Sequence, residues 1–150
     1  MRIGEICSRT VSSVGPSTSL LGAARRMRDD HVGDLVVVDE RGGRPVPIGV
    51  LTDRDIVVGV LAKDADHLRS LDVGDVIEGP LVTATEDEDL WPVLRRMRSF
   101  GVRRVPVVDA EGVLVGLLSA DDIIPALGDE LAELAALVSR QARREPGRRP

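Results

Sequence analysis

Aromatic side chains are nearly missing from this chain: of its 150 residues one is Phe, one is Trp and none is Tyr. Stacking platforms, the common means of holding single-stranded nucleic acid, are therefore hard to supply. There is one cysteine, Cys7, so no disulfide closes within the chain. No Cys or His stands at metal-ligand spacing from it, which leaves it the ordinary role of a small buried apolar residue. No uninterrupted apolar run is long enough to span a bilayer, and the N-terminus lacks a basic-then-apolar signal pattern. These absences favour the cytoplasm and argue against a membrane partner. Histidine is scarce too. His31 and His67 each stand away from any nucleophile or acid–base partner in sequence, so the expectation is a protein without catalysis.

The net charge of −5 is unevenly spread. Residues 140–150 hold five arginines, at 140, 143, 144, 148 and 149, against Glu145, a net of +4 that leaves −9 on the rest. A basic end can touch nucleic acid, membrane or an acidic protein. The acidic body and the shortage of aromatics make nucleic acid a poor partner. With Pro146, Gly147 and Pro150 in it, the tail is expected to be solvated and disordered.

What the chain does contain, it contains twice. Residues 49–56 read GVLTDRDI and residues 116–123 read GLLSADDI, each with Gly, then Thr52 or Ser119, then Asp55 or Asp122 three positions on. The echo extends upstream: residues 25–28 (RRMR) return at 95–98, the strand-like 35–38 at 105–108, and Ile3-Gly4-Glu5-Ile6 as Val73-Gly74-Asp75-Val76. The offset is 70 residues early in the repeat and 67 at the aspartates. The difference falls in residues 40–47, rich in Gly and Pro, which read as an enlarged hairpin loop. A length change confined to a turn costs little and so supports the repeat.

Each copy reads as β-α-β-β-α. Short strands are expected at 11–14 and 81–84. Amphipathic helices follow, one after Pro16-Ser17-Thr18-Ser19 and one with Glu86, Asp87, Glu88 and Asp89 in its first turn. Residues 35–38 and 105–108 read as buried strands, with 46–51 and 113–118 as hairpin partners. Helices over 53–62 and 120–127 come next, with Thr52 and Ser119 placed as N-caps. A further helix is expected over 130–138, its Leu131, Leu134, Leu137 and Val138 packing on the body or on a partner. The division expected is 1–70 and 71–128 for the two repeats, then 129–150 for a C-terminal helix and tail.

With these residues in view, the chain resembles a stand-alone cystathionine-β-synthase (CBS) domain pair, or Bateman module, over residues 3–127. The Gly-apolar-any-Thr/Ser-any-any-Asp signature is complete in both copies, and Val105-Pro106-Val107-Val108-Asp109 matches the strand that usually precedes it. The resemblance implies an α/β fold of the α+β type, with two repeats packed as a pseudo-twofold pair around two clefts. It further implies a regulatory, non-catalytic module that binds AMP, ADP, ATP or S-adenosylmethionine there, and a homodimer. By the same analogy one cleft joins Thr52 and Asp55 to the backbone of Leu81 and Val82, with Arg103 or Arg104 reaching phosphate. The other joins Ser119 and Asp122 to Thr10 and Val11, with Arg54 available to phosphate.

Chemistry alone supports part of this. An aspartate in the first turn of a helix can accept bonds from both ribose hydroxyls, each worth about 1.5–3 kcal/mol, and helix-start amides favour a nearby anion. Equally, Thr52 and Ser119 can be plain helix caps and the arginines ion-paired surface groups. The copies also differ: Gly33-Asp34 stands where Arg103-Arg104 does, and Arg54 stands where Asp121 does. The clefts are thus electrostatically unequal, and one is expected to bind poorly or stay empty. A structural dimerisation module with both clefts unoccupied, acting on an unidentified protein target, is the alternative.

Overall fold

Each repeat builds one three-stranded sheet in the computed structural model, which describes residues 1–144. The first comprises α1 (Ile3–Ile6), β1 (Ser13–Val14), α2 (Leu20–Asp30), β2 (Asp34–Arg41) and β3 (Arg44–Thr52). A π-helical segment (Asp55–Leu61) and a 3₁₀ turn (Ala65–Arg69) follow. The second comprises α3 (Val73–Val76), β4 (Ala84–Thr85), α4 (Leu90–Phe100), β5 (Arg104–Val108), β6 (Leu114–Ser119) and α5 (Ala120–Arg144). The sheets run β1-β2-β3 and β4-β5-β6, the first pair of each parallel and the second antiparallel.

Local chemistry sets the helices. The Ser19 hydroxyl accepts from the Gly22 amide at 3.0 Å to cap α2, whose Leu20, Ala23 and Met27 face inward. In α4 the same positions are Leu90, Val93 and Met97. Pro92 is the third residue of α4, where its missing N–H has no helical acceptor.

Each repeat is completed by the opening segment of the other. Ile3 is wholly buried among Val82, Leu90, Val93, Val105 and Leu118 of the second repeat, and Val73 among Leu20, Leu35 and Leu51 of the first. Backbone bonds fix the crossing: Ile3 and Gly4 donate to Glu88 and Glu86 carbonyls, and Val73 and Gly74 to those of Thr18 and Pro16. The sequence echo between residues 3–6 and 73–76 therefore marks two short helices that exchange places. The signature glycines lie where these segments cross the sheets. A Cβ on Gly116 would stand 2.9 Å from Cys7 Sγ and 3.0 Å from the Ser8 carbonyl, and one on Gly49 would stand 3.0 Å from Ile77 Cδ1.

Several expectations change. Glu86, Asp87, Glu88 and Asp89 precede α4, which starts at Leu90, and do not form its first turn. Residues 40–47 are not a loop: β2 and β3 extend through them and turn at Gly42-Gly43, whose φ angles of 60° and 76° suit a two-residue hairpin turn. Pro45 and Pro47 are accommodated because β3 is an edge strand. The strands expected over 11–14 and 81–84 shrink to Ser13–Val14 and Ala84–Thr85, because the preceding residues are still crossing from the other repeat. The separate helix expected over 130–138 does not exist as such: α5 runs unbroken from Ala120 to Arg144 through Pro125 and Gly128. Its Ala-, Leu- and Glu-rich sequence absorbs the roughly 1 kcal/mol that one helical glycine costs. Nor does its apolar face pack on the body, since every residue of 128–141 is exposed. Of the tail expected to be disordered, 140–144 are helical, and 145–150 lie outside the described residues.

Gly116→Ala should destabilise the fold by about 1–3 kcal/mol. Gly49→Ala should cost less, because it meets only the Ile77 side chain, nearest at Cδ1, while Gly116 also meets a backbone carbonyl at 3.0 Å. Urea unfolding of the two variants checks the order.

Candidate functional site

The repeated motif closes a reciprocal cap at the end of each hairpin. Where β3 ends, the Thr52 amide donates to Asp55 Oδ2 at 2.8 Å and the Asp55 amide donates back to Thr52 Oγ1 at 3.1 Å. Where β6 ends, the Ser119 amide and hydroxyl both donate to Asp122 Oδ2, at 3.0 and 2.7 Å, and the Asp122 amide donates to Ser119 Oγ at 3.2 Å. The capping role foreseen for these residues is thus real in both copies. Each aspartate spends one oxygen on it. The second, Oδ1, takes no hydrogen bond among the described residues.

A cavity of about 660 Å³ opens beside the first cap. Thr52, Arg54 and Asp55 line one wall, Leu81 and Val82 the facing linker, and Arg103 and Arg104 the second repeat. The structure therefore brings together every residue expected in the first cleft and adds Arg54, which had been expected in the other. The correction has a simple cause: Arg54 follows Thr52 by two residues at the same helix start, so it lies on the side its own aspartate serves. Glu78, Gly79 and Pro80, which sequence reasoning missed, supply the rest of the linker wall. Arg54 forms no ion pair among the described residues.

The second cleft differs. Thr10 and Val11 line a smaller cavity of about 430 Å³ with Ser12, Arg26, Asp30, Asp34 and Leu117, but Ser119 and Asp122 do not reach it. Two backbone bonds of 2.9 Å between Ser8 and Leu117 stitch the first linker to β6. Arg9 pins it further, pairing with Glu86 and donating to the Gly4 carbonyl at 3.1 Å. The equivalents of Ser8 and Arg9 are Glu78 and Gly79, and Glu78 makes no such bonds to Val50 among the described residues. One linker is sewn down and the other stands off as a cavity wall.

Charge is arranged differently in the two clefts. Arg54, Arg103 and Arg104 line the first together with Asp53, Asp55 and Glu78, whereas the second holds Arg26 with its partner Asp30, and Asp34. Arg104 is not free to seek a phosphate alone. Its Nε lies 2.7 Å from Oδ1 of Asp34, which is only 7% exposed, and Asp121 lies 3.6 Å from its other nitrogen. Burial pushes the Asp34 carboxyl above its ordinary range; Arg104 opposes this, and Asp53 and Asp121 add to it. Burial likewise pushes the Cys7 thiol up, as expected of a packing residue rather than a nucleophile. Among the described residues no group of three or more His, Cys, Asp or Glu converges on a metal position, and Asp53-Arg54-Asp55 forms none. No described helix is long and apolar enough to cross a membrane.

Known proteins share this architecture. The family model described as "CBS domain" matches residues 3–61 and again 73–129. The protein MK0525 of Methanopyrus kandleri is 32% identical over 124 residues, which cover 81% of this chain and 60% of that one. Hypoxic response protein 1 of Mycobacterium tuberculosis is 32% identical over 79% of this chain and 80% of its own. Among solved structures, the CBS domain pair of protein MJ0100, in complex with 5′-methylthioadenosine and S-adenosylmethionine, superposes with a TM-score of 0.73 at 25% identity. The match covers 87% of this chain and 98% of that one.

Arg104→Ala should leave Asp34 buried and unpaired. The expected loss is about 2 kcal/mol at neutral pH, below the 3–5 for a fully enclosed pair because Arg104 is one-third exposed. The sign follows from the raised carboxyl: ionising Asp34 costs the fold above its folded pKa and costs nothing below its unfolded one. The deficit should therefore shrink as pH falls through the carboxylate range, which denaturation midpoints against pH will read.

Proposed function

This chain belongs to the CBS domain family, carrying two copies in tandem, and from that premise we propose that it is a cytoplasmic, non-catalytic sensor of an adenosine-containing ligand. The single observation that carries the reading is the first cleft. A cavity of about 660 Å³ there joins a helix-start aspartate with one oxygen to spare, a valine-rich wall and an arginine without an ion-pair partner among the described residues. That combination suits a nucleotide part by part. Asp55 Oδ1 accepts from the ribose hydroxyls. The backbone of Leu81 and Val82 reads the edge of a base held in an apolar slot. Arg54 and Arg103 meet phosphate.

The ligands bound by the CBS domain pair of MJ0100 support the adenosine class. Arg54 and Arg103 offer a phosphate two cationic partners in this cleft, beside Asp53 and Glu78, and so support phosphorylated forms, AMP, ADP or ATP. The stitched linker and the aspartates of the second cleft favour one ligand per chain. Sensing requires that the ligand prefer one arrangement of the repeats or of the assembly. The linker over residues 77–82 is the element placed to register it, because it forms both a wall of the cleft and the tether to the second sheet. A homodimer through the helical face is part of the proposal, supported by Leu21, Val57, Val58 and Leu61, exposed on α2 and the π-helical segment.

Isothermal titration with AMP, ADP, ATP and S-adenosylmethionine tests the reading. Binding should occur at one site per chain and favour the nucleotides. Asp55→Ala should weaken it at least tenfold, the loss of one charge-assisted bond, whereas Asp122→Ala should leave it within twofold. Absence of binding below millimolar concentration for all four removes the sensor reading and leaves the dimerisation module.

A further inference from the structure

We propose that the projecting half of α5 is a docking surface for α5 of a second copy of this chain, crossed antiparallel. The surface is distinct from the clefts and from the α2 face. Beyond residue 127 every residue through 141 is exposed, yet the helix continues to Arg144. This half of the helix carries Leu131, Leu134, Leu137 and Val138, exposed at 66, 56, 64 and 61%. A 17-residue helix (128–144) in water is at the margin of stability without a partner, and four large apolar side chains on one stripe ask for one.

Spacing identifies the partner as another helix. Leu131, Leu134 and Val138 continue the alternating steps of three and four that Ile124 and Leu127 begin where α5 still lies on the body, the spacing of a two-stranded coiled coil. Charge then decides between copies and orientations. Glu130 stands at the edge of that seam near one end and the position of Arg144 at the same edge near the other. When Val138 meets Leu134 of an antiparallel second copy, Leu131 meets Gln141, and Glu130 falls opposite the position of Arg144 at both ends. In the same register Leu137 meets its own counterpart, and so does Ala135, small enough to let the backbones close. A parallel pair would set Glu130 beside Ala135 and give it no basic partner. The stripe is thus complementary to itself in one direction only, as a twofold interface requires.

Sedimentation equilibrium of the full chain tests the proposal. The wild-type protein should be an even-numbered assembly. Leu134→Glu and Leu137→Glu, at exposed positions of the single chain, should halve its copy number and leave nucleotide affinity and the unfolding midpoint of the body unchanged. Orientation is read by oxidation in a Cys7→Ser background: Ala135→Cys should cross-link to itself and Leu131→Cys should not. A monomeric wild type, an unchanged mass in both glutamate variants, or cross-linking at 131 in place of 135 overturns the proposal. Because titration of the clefts is a separate measurement, either reading can fail without the other.

Discussion

Ile3 closes the core of the second repeat and Val73 that of the first, so neither half of the chain holds a complete core of its own. A half-repeat of about 60–70 residues buries too little surface to be comfortably stable. Exchanging the opening segments removes the difficulty by making the two cores one problem. The contacts that do so are remote in sequence: residues 3 and 4 bond to residues 88 and 86. The cores therefore close together or not at all, and the ordering cost of the long connections falls before the reward arrives. The signature glycines are part of the same device. They are bare because a linker leaving the other repeat lies on them, and any side chain there would lift the crossing segment off the sheet.

The clefts are consequences of that crossing rather than separate inventions. Once an opening helix has docked on the far repeat, its chain must return over the hairpin to enter its own sheet. The space between returning chain and hairpin end is the cleft. Two returns built on the same scheme differ in what they carry. One has Ser8 and Arg9, which bond to β6 and to neighbouring backbone; the other has Glu78, Gly79 and Pro80, which do not. A few side-chain differences thus turn one geometric necessity into a tight seam and the other into an open cavity. The aspartates at the two hairpin ends are alike in bonding, and of the two cavities only the first is lined by its aspartate.

How far the sequence disclosed this depends on the range over which each feature is decided. The central strand pairs, the helix capped by Ser19 and the Thr52–Asp55 and Ser119–Asp122 pairs are settled by neighbours a few residues away, and they were legible. The long hairpin at Gly42-Gly43 was misread because Gly and Pro mark both loops and tight turns, and only pairing with β2 separates the two. The exchange of α1 and α3 left a trace, the echo of residues 3–6 in 73–76, but no local signal says which sheet a four-residue helix will cover. Arg54 was assigned across the molecule by analogy, although its own position in the chain already placed it beside Asp55. Arg103 and Arg104 were read as equivalent. Burial of Asp34, a three-dimensional fact, is what engages Arg104 and leaves Arg103 more exposed.

That last pair also explains how one chain keeps its two repeats together. Asp34 and Arg104 occupy matching positions of the repeat, 70 residues apart, and they touch each other. Matching positions can meet only at the pseudo-twofold axis. If two first repeats from different chains were to pair in this way, two Asp34 carboxylates would meet in a poorly solvated site. Two second repeats would bring two Arg104 guanidiniums together there. At low effective dielectric either contact costs several kcal/mol, whereas the mixed pair is attractive. The charge difference that makes the clefts unequal is therefore the same one that tells a first repeat from a second. An internal duplication of this kind must break its own symmetry to assemble in one way, and breaking it at the axis necessarily makes its two sites unlike.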